Sequence, residues 1–405
     1  MQLTQLTPTS AAWPLREQAP DKTEDACAPA AGFSGSALLM AALALPGMIG
    51  AAHAESAPER GQVELNYLDY RDRQPGLDRV NVHTPSIRVL APIAGMWAIE
   101  GSLTSDSISG ATPRYHSAIS GASTMSDRRT AQAFSVTRYF PDSTVSAGFA
   151  HSGENDYQSR AYSLDLTRST EDKNTVFNAG IGVANDVINP VNGLVTDAKK
   201  HVLELKAGIT RVLTQRDLIQ ADISHVVQHG YLNDPYKVFD KRPDSRSANI
   251  LLLRWNHHLD ADDGTSRLGY RYYSDSFGIR AHTLSAEYVQ PLPSDWTLTP
   301  SLRLYSQTAA SFYVGPVYSP VLGEPVPAGY DPSGGANVSE DYRLSAFGAA
   351  TLAMKVEKRI GRDASVRMQL GFYEQRSGWA LSGNGGPGLA TLRAQMISVG
   401  ITRQF

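Results

Sequence analysis

The chain has 405 residues, a formal net charge of −3 and a negative mean hydropathy. A helical membrane protein needs several apolar runs of about 20 residues, and this sequence contains one long apolar run, so that class is excluded. A transmembrane β-barrel passes the same test, because only alternate residues of its strands meet lipid. The near-neutral charge argues against a nucleic-acid partner.

The long apolar run, Ser36–Ala54, predicts a secretory signal peptide. Its apolar core is too short to span a membrane, and an Ala-His-Ala cleavage pattern follows at residues 52–54. We expect residues 1–54 to be removed and residues 55–405 to form the mature protein. The segment before the core is long, which would be explained by translation that starts downstream of Met1. A buried helix of a cytosolic domain is the alternative.

Beyond the leader, apolar and polar residues alternate with a period of two, in segments separated by turn sequences, which is typical of β-strands. Short connections alternate with longer ones, as in outer-membrane barrels, whose short turns face the periplasm and whose long loops are extracellular. The prediction is an all-β protein, a transmembrane antiparallel β-barrel of about 16 strands with both termini in the periplasm. The longer connections are predicted at Ser105–Arg129, Val187–Lys200, Tyr231–Ser247 and Phe312–Asp341.

The last predicted strand indicates how the barrel closes and what it meets. Ile397, Val399 and Ile401 share a face with the terminal Phe405, whereas Arg403 on that face is an exception. A strand that ends in an aromatic residue resembles the signal read by the barrel-assembly machinery, so we expect that machinery and outer-membrane lipid as partners. A secreted β-sandwich or β-helix is the alternative, with the apolar faces packed between sheets.

The two faces of the predicted strands differ in charge. One face consists of Val, Leu, Ile, Phe and Ala, and we expect it to meet lipid. The other face carries nine cations and six acids and is predicted to line the lumen, which would give a pore weak selectivity with a slight preference for anions. The predicted lumen residues are Glu64, Arg88, Glu100, Asp165, Glu204, Lys206, Asp222, Arg254, Arg267, Arg271, Glu287, Arg303, Arg343, Lys355 and Arg367.

The segment from His225 to Arg246 has the highest density of polar side chains in one predicted loop. It has two interpretations: a loop folded into the lumen as a gate or binding plug, or a loop held over the barrel mouth by Asp–Arg pairs, which is favoured. His225 and His229 would lie ~13 Å apart along a strand and make a poor metal pair. The candidate loop residues are Asp234, Tyr236, Lys237, Arg242, Asp244 and Arg246.

Other candidate sites are weaker, and we predict neither a metal nor a cofactor. The single cysteine, Cys27, lies in the leader, so the mature chain has no thiol to ligate a metal. Residues 260–264 resemble a calcium loop but lack its ligand spacing and are interpreted as a turn. His257 and His258 are adjacent on a strand and point to opposite faces. The tyrosines of 270–273 and 305–313 fit an interfacial belt better than a ligand surface.

Several stretches resemble a bacterial family of unknown function, the DUF3570 outer-membrane barrel proteins. The resemblance implies an outer-membrane location and supplies no substrate or reaction, but it points to periplasmic proteins, for example redox proteins, as partners. The stretches are Ala42–Met48, Ser107–Pro113, His116–Arg129, Arg138–Phe140, His151–Tyr157, His225–Lys237, Arg242–Arg246, Tyr272–Gly278 and Tyr305–Tyr313.

Three classes of function compete on this basis. A pore or an export/transport component of unknown substrate is preferred, because about 16 strands enclose a wide lumen. A structural or partner-docking barrel that serves a periplasmic system is the alternative, with its lumen closed by loops. A barrel-embedded hydrolase is disfavoured, because no spacing links a Ser, a His and an acid, and the chain is predicted not to be an enzyme.

Overall fold

Sixteen antiparallel strands form one closed barrel in the computed structural model, which describes residues 56–113, 122–237, 239–318, 325–327, 334–383, 385–386 and 389–405. The predicted fold is therefore confirmed. The predicted signal peptide and its cleavage site lie outside the described residues. None of the helices described has the length and apolar character that a membrane span requires.

Every barrel strand pairs with the strands before and after it in sequence, and the first pairs with the last. We number these sixteen strands in chain order and leave the four short strands of the loops unnumbered. They are β1 (Gln62–Gln74), β2 (Leu77–Ile93), β3 (Trp97–Pro113), β4 (Ala122–Tyr139), β5 (Ser143–Gly153), β6 (Tyr157–Ser169), β7 (Thr175–Ile188), β8 (Ala198–Val212), β9 (Asp217–Gly230), β10 (Ser245–Leu259), β11 (Gly264–Asp275), β12 (Arg280–Leu292), β13 (Trp296–Gln307), β14 (Phe347–Ile360), β15 (Ala364–Arg376) and β16 (Leu392–Gln404).

The barrel closes where its first and last strands meet. Gln62 lies opposite Gln404, and the backbones of Gly61 and Phe405 exchange hydrogen bonds of 3.0 and 2.9 Å. A Cβ atom on Gly61 would lie 2.4 Å from the Phe405 ring, so the glycine leaves room for that ring. The terminal residue is thus part of the closure, as the alternation in the last strand predicts.

Alternate residues of each strand face lipid or lumen, as the period of two requires. The outward positions are apolar and exposed on the bare barrel; Leu302 and Leu304, for example, are each 43% exposed. The inward positions carry most of the charge and are shielded, and many of these charges are paired, for example Lys206 with Asp165 at 2.6 Å. Backbone ladders that close on themselves leave no unpaired sheet edge in lipid.

The two ends of the barrel differ in the length of their connections. Seven turns of three to five residues lie at the end that holds both termini. Trp97, Trp255 and Trp296 lie on the outward face near this end, which is the usual place of an interfacial aromatic belt. The connections at the opposite end, which we call the mouth, range from the two-residue turn at 75–76 to the segment 308–346.

The predicted long loop Ser105–Arg129 is wrong in its bounds. Strands β3 and β4 continue through it and remain paired from Ser105 opposite Thr130 to Pro113 opposite Ala122. The segment is rich in small polar residues and lacks the apolar alternation from which strands are recognised. Backbone pairing does not depend on that alternation, because it is the lipid, and not the ladder, that requires an apolar face.

Candidate functional site

Two connections of the mouth fold inward and build a small apolar core against the wall. The turn 276–279 and the segment 308–346 contribute Phe277, Ile279, Ala310, Phe312 and Leu344. The Phe277 and Phe312 rings meet edge to face, with centroids 4.9 Å apart. The inward wall positions that receive them are mostly small, which leaves space for the loops: Ala150, Ala161, Ala184, Val202, Val226 and Ala248.

The inward turn is held by one carboxylate at the end of β11. Asp275 Oδ1 accepts hydrogen bonds from the backbone N–H groups of Phe277 and Ile279 at 3.0 and 2.9 Å. Its other oxygen accepts from Arg246 Nε at 2.9 Å and from the Tyr273 hydroxyl at 2.8 Å. The Arg246 guanidinium lies over the Phe277 ring, 4.8 Å from its centroid. Arg246 therefore joins the wall to the apolar core of the mouth.

A buried cluster of ion pairs ties the connection 231–244 to the segment 308–346. Arg242 Nη2 lies 2.6 Å from Asp240 Oδ2 and 2.7 Å from Asp341 Oδ2. Arg343 pairs with Asp341 and with Asp234, and its Nε lies 2.9 Å from Asp341 Oδ1. We call these five residues the mouth cluster. Backbone pairing of residues 240–241 with 338–339 adds a two-stranded sheet beside it.

The charges of the mouth cluster interact strongly because its carboxylates are shielded from solvent. The side chains of Asp240 and Asp341 are 0% exposed. Burial alone would raise the pKa of Asp341, but the charges of Arg343 and Arg242 hold it well below its usual range. Burial would also raise the pKa of Asp234, but the surrounding positive charges, first that of Arg343, together lower it. Both groups therefore remain ionised and paired across the neutral pH range.

Glu340, next to the mouth cluster, is the carboxylate of the mouth that responds to pH near neutrality. It is fully shielded, and burial raises its pKa to about 7, against the opposing charge of Lys237. The folded loops thus hold the Glu340 proton more tightly than an exposed glutamate would. Their arrangement is most stable below the ordinary pKa of 4.5 and loses stability progressively as the pH rises to about 7.

We therefore expect amide exchange in residues 334–346 to quicken between about pH 5 and about pH 8 beyond the intrinsic increase. Glu340→Gln should abolish this excess, because an amide does not titrate. Hydrogen-exchange mass spectrometry of the folded barrel measures both proteins. An equal excess in the variant would assign the pH response to another group.

The remaining candidate loop residues lie around the mouth cluster. The Tyr236 hydroxyl donates to Asp156 at 2.5 Å and accepts from the Val191 N–H at 3.2 Å, which joins three connections. Lys237 Nζ lies 6.0 Å from the centroid of the Tyr342 ring. Asp244 accepts from the Gly230 N–H at 2.8 Å through its backbone carbonyl, and its side chain is exposed. Asp244 thus does not belong to the mouth cluster.

A cavity of about 80 Å³ lies under the connection 231–244 and is lined by charged groups of both signs. Lys200 on its wall pairs with Asp186 at 2.9 Å and donates to the Tyr157 hydroxyl at 2.8 Å. Arg242 and Arg343 line it from the loop side, and Arg246 lines it from the wall. This cavity has room for a few waters or a small ion and is too small for a large solute.

Cross-strand register places the predicted wall residues on the inward face, in two groups. Near the middle of the wall, Arg267 lies opposite Glu287, and Arg254 donates to Gln220 at 3.4 Å. Nearer the mouth are Arg271 and Arg303. The Tyr273 ring lies close to both Arg271 and Arg246, so it connects the wall to the mouth. Elsewhere on the inward face are Glu100, which accepts from Arg88 at 2.7 Å, and Glu204.

The prediction for Arg343 is wrong, because this residue does not line the wall. It lies in the short 3₁₀ helix Tyr342–Leu344, and its strand begins at Phe347. The alternating sequence before β14 resembles a strand, but the fixed pairs with Asp234 and Asp341 favour a loop. Sequence reasoning also missed Asp240, Asp275 and Phe277. The Asp275 turn is recognisable in retrospect as an aspartate that accepts from N–H groups two and four residues on.

The structure places the predicted tyrosines on both faces. Tyr270 and Tyr272 face outward beside His282. The Tyr270 hydroxyl forms a hydrogen bond of 2.8 Å with Nδ1 of His282. Tyr273 and Tyr305 face inward and are shielded, and Tyr313 lies in the segment 308–346, so two of the five tyrosines have the outward facing that a belt requires. Residues 260–263 form a turn, as predicted.

The described residues contain no cluster of three or more potential metal ligands from His, Cys, Asp and Glu. Within the same residues, the histidine side chains bond Tyr67, the Ser159 carbonyl, Asn185, Asn249, Asp217 and Tyr270, and none bonds a serine hydroxyl. His257, for example, lies 2.8 Å from Asp217 at the short-turn end. Among the described residues, no serine hydroxyl is therefore hydrogen-bonded to a histidine that could act as its base.

Solved structures of outer-membrane proteins are similar to this chain over most of its length. A bacterial polysaccharide outer membrane secretin is 9% identical with a TM-score of 0.49, and the match covers 85% of this chain and 98% of that one. The outer membrane protein OpdK from Pseudomonas aeruginosa is 8% identical with a TM-score of 0.43, covering 85% of this chain and 99% of that one. No curated protein sequence matches the chain significantly.

The family model described as "Protein of unknown function (DUF3570)" matches residues 117–198 and 194–396. The two matches together cover most of the barrel, from the hairpin of β3 and β4 into β16. They include the connection 231–244 and the segment 308–346, which form the mouth cluster. The chain therefore belongs to the DUF3570 family.

Proposed function

We propose that the protein is an outer-membrane pore or export/transport component whose mouth is closed by its own loops in this conformation. The main support for this proposal is the wall of the barrel, in which sixteen strands surround an interior lined by charged side chains. Barrels of about eight strands fill with their own side chains, whereas barrels of about 16 enclose an aqueous space. A charged inward face needs water or counter-ions, and a lumen supplies both.

The outer membrane is the location that fits this barrel. Its outward face is apolar, with exposed residues such as Leu164, Phe372 and Ile397. Pairing of β1 with β16 hydrogen-bonds the backbone groups that an open sheet would leave unpaired at its edges. In lipid such groups must be paired within the protein. On this orientation the short turns and both termini lie in the periplasm, where assembly factors and periplasmic partners, for example a redox system, have access to Phe405 and the turns.

Planar-bilayer recording of the purified barrel tests the pore. A variant in which residues 232–243 are replaced by a short Gly-Ser linker removes Asp234, Asp240 and Arg242 from the mouth cluster. The intact protein should give rare, brief openings, and the shortened variant should give steady channels. Asp244→Ala, which changes an exposed side chain of the same connection, should behave as the intact protein does.

A structural or partner-docking barrel is the second candidate, and the inward-folded apolar core at the mouth favours it. On this alternative the loops close the lumen permanently, and their outer surface carries the function. The recordings separate the two candidates. Silence in both the intact protein and the shortened variant, with the barrel still folded by heat-modifiable mobility, would discard the pore and leave the docking barrel.

A further inference from the structure

Two inward arginines near the mouth differ in their partners from several other cations of the wall. The guanidinium groups of Arg271 on β11 and Arg303 on β13 form no salt bridge and no side-chain hydrogen bond within the part of the chain that the structure describes. Arg88, Lys206 and Arg367, by contrast, each pair with a carboxylate. The charge of Glu204 acts on Arg271 from elsewhere in the wall, but no described carboxylate forms an ion pair with either guanidinium.

Tyrosine rings hold both guanidiniums in place. The Arg271 guanidinium lies 5.5 Å from the centroid of the Tyr273 ring, and that of Arg303 lies 5.7 Å from the centroid of the Tyr305 ring. A ring face stabilises a cation without consuming its N–H donors. Each guanidinium thus keeps its planar set of donors available to a bound group.

Strand β12, between these two arginines, adds a hydroxyl donor. Thr283 lies opposite Arg271 on one side and opposite Tyr305 on the other. It faces inward and is 7% exposed, and its Oγ1 has no hydrogen-bond partner among the described residues. A shielded hydroxyl normally finds a partner, so this one marks a place where a polar group is missing.

We propose that Arg271, Arg303 and Thr283 form a binding site in the lumen for an oxyanion, the carboxylate or phosphate group of a small organic anion. Two positive charges with free N–H donors and one free hydroxyl match the oxygens of such a group. The faces of Tyr273 and Tyr305 flank the site and suit an aromatic or other planar substituent. The proposal rests on the proposed pore and names the class of solute it would carry.

Isothermal titration of the folded full-length barrel in detergent tests binding without requiring conductance. The probes are benzoate, phenyl phosphate and, as the neutral control, benzyl alcohol. We expect one or both anions to bind and benzyl alcohol not to bind; comparison of the two anions shows which oxyanion is preferred. The shortened-loop variant is titrated in parallel, so that closure of the mouth cannot hide the site.

Arg303→Gln and Arg271→Gln should each weaken anion binding by about tenfold or more, the effect expected for loss of a charged hydrogen-bonding partner. Arg303→Lys keeps the charge but loses the planar guanidinium with its paired N–H donors. Its affinity for the anion should therefore lie between those of the intact protein and Arg303→Gln. Arg254→Gln, an inward arginine outside the site, should leave affinity within about twofold. Heat-modifiable mobility confirms that each variant is folded.

The outcomes separate this site from the pore. Absence of anion binding in both the intact and the shortened protein overturns the site, as does equal loss in Arg254→Gln, and neither result affects the bilayer recordings. Binding that Arg303→Gln weakens, in a protein that never conducts, supports the site and overturns the pore. Binding with conductance should also give a reversal potential that shifts away from anion preference in Arg303→Gln.

Discussion

Replacing Asp341 by alanine should loosen the mouth loops by about 3 kcal/mol, because it removes the carboxylate that two buried guanidiniums share. Breaking a buried ion pair usually costs about 3–5 kcal/mol, since one charge is left uncompensated. Here Arg242 keeps Asp240 and Arg343 keeps Asp234, so we place the cost at the lower end. The wall strands do not depend on this cluster and should keep their stability.

Hydrogen exchange separates the loops from the wall in one measurement. Asp341→Ala should increase exchange in residues 231–244 and 334–346 by about a hundredfold while leaving β6 to β9 unchanged. Asp244→Ala is the matched control, because that aspartate lies in the same connection with an exposed side chain. Unchanged exchange in both variants would mean that the apolar core around Phe277, rather than the ion pairs, holds the loops inward.

The barrel wall was predictable because its constraints are local in sequence. A strand that crosses lipid must alternate, so the apolar face of residues such as Ile397 and Val399 is visible without a structure. Short turns fix the antiparallel order of neighbouring strands. An even number of strands leaves the first and the last in opposite directions, so that they can also pair antiparallel. Inward placement of Arg254, Arg271 and Glu287 follows from the same period of two.

The mouth was predictable only in part, because its contacts join residues far apart in the chain. Arg343 and Asp234 are separated by 109 positions, and no period relates them. The sequence of residues 107–113 and 122–128 shows no apolar alternation. It therefore predicts a loop where β3 and β4 in fact continue. The inward turn at Phe277 depends on small wall residues such as Ala161 and Ala184, and their sizes carry meaning only once they face one another.

The inferred anion site was likewise predictable only in part from the sequence. Periodicity places Arg271 and Arg303 on the inward face together with other cations. It does not show that these two lack a carboxylate, because pairing depends on register between strands and on side-chain direction. Thr283 between them attracts no attention in the sequence. Its unpaired hydroxyl becomes evident only when β12 is aligned between β11 and β13.

Two adjacent residues of β13 test the orientation of the wall with a single type of substitution. Leu302 faces outward near the middle of its strand and is 43% exposed, whereas Ser301 faces inward opposite Glu287. Leu302→Arg should destabilise the barrel in a bilayer by about 2–4 kcal/mol, the cost of an arginine on the lipid face near the midplane. Ser301→Arg places the same side chain in the lumen beside a carboxylate.

Reversible folding into phospholipid vesicles, followed by denaturant titration, measures both costs. Ser301→Arg should change the free energy of unfolding by less than about 1 kcal/mol, because the new charge meets water and Glu287. Arg303→Ala should likewise be mild for insertion, since it removes a cation from the lumen and leaves the lipid face intact. Equal losses in Leu302→Arg and Ser301→Arg would contradict the assigned facing of β13 and, through the shared register, that of the entire wall.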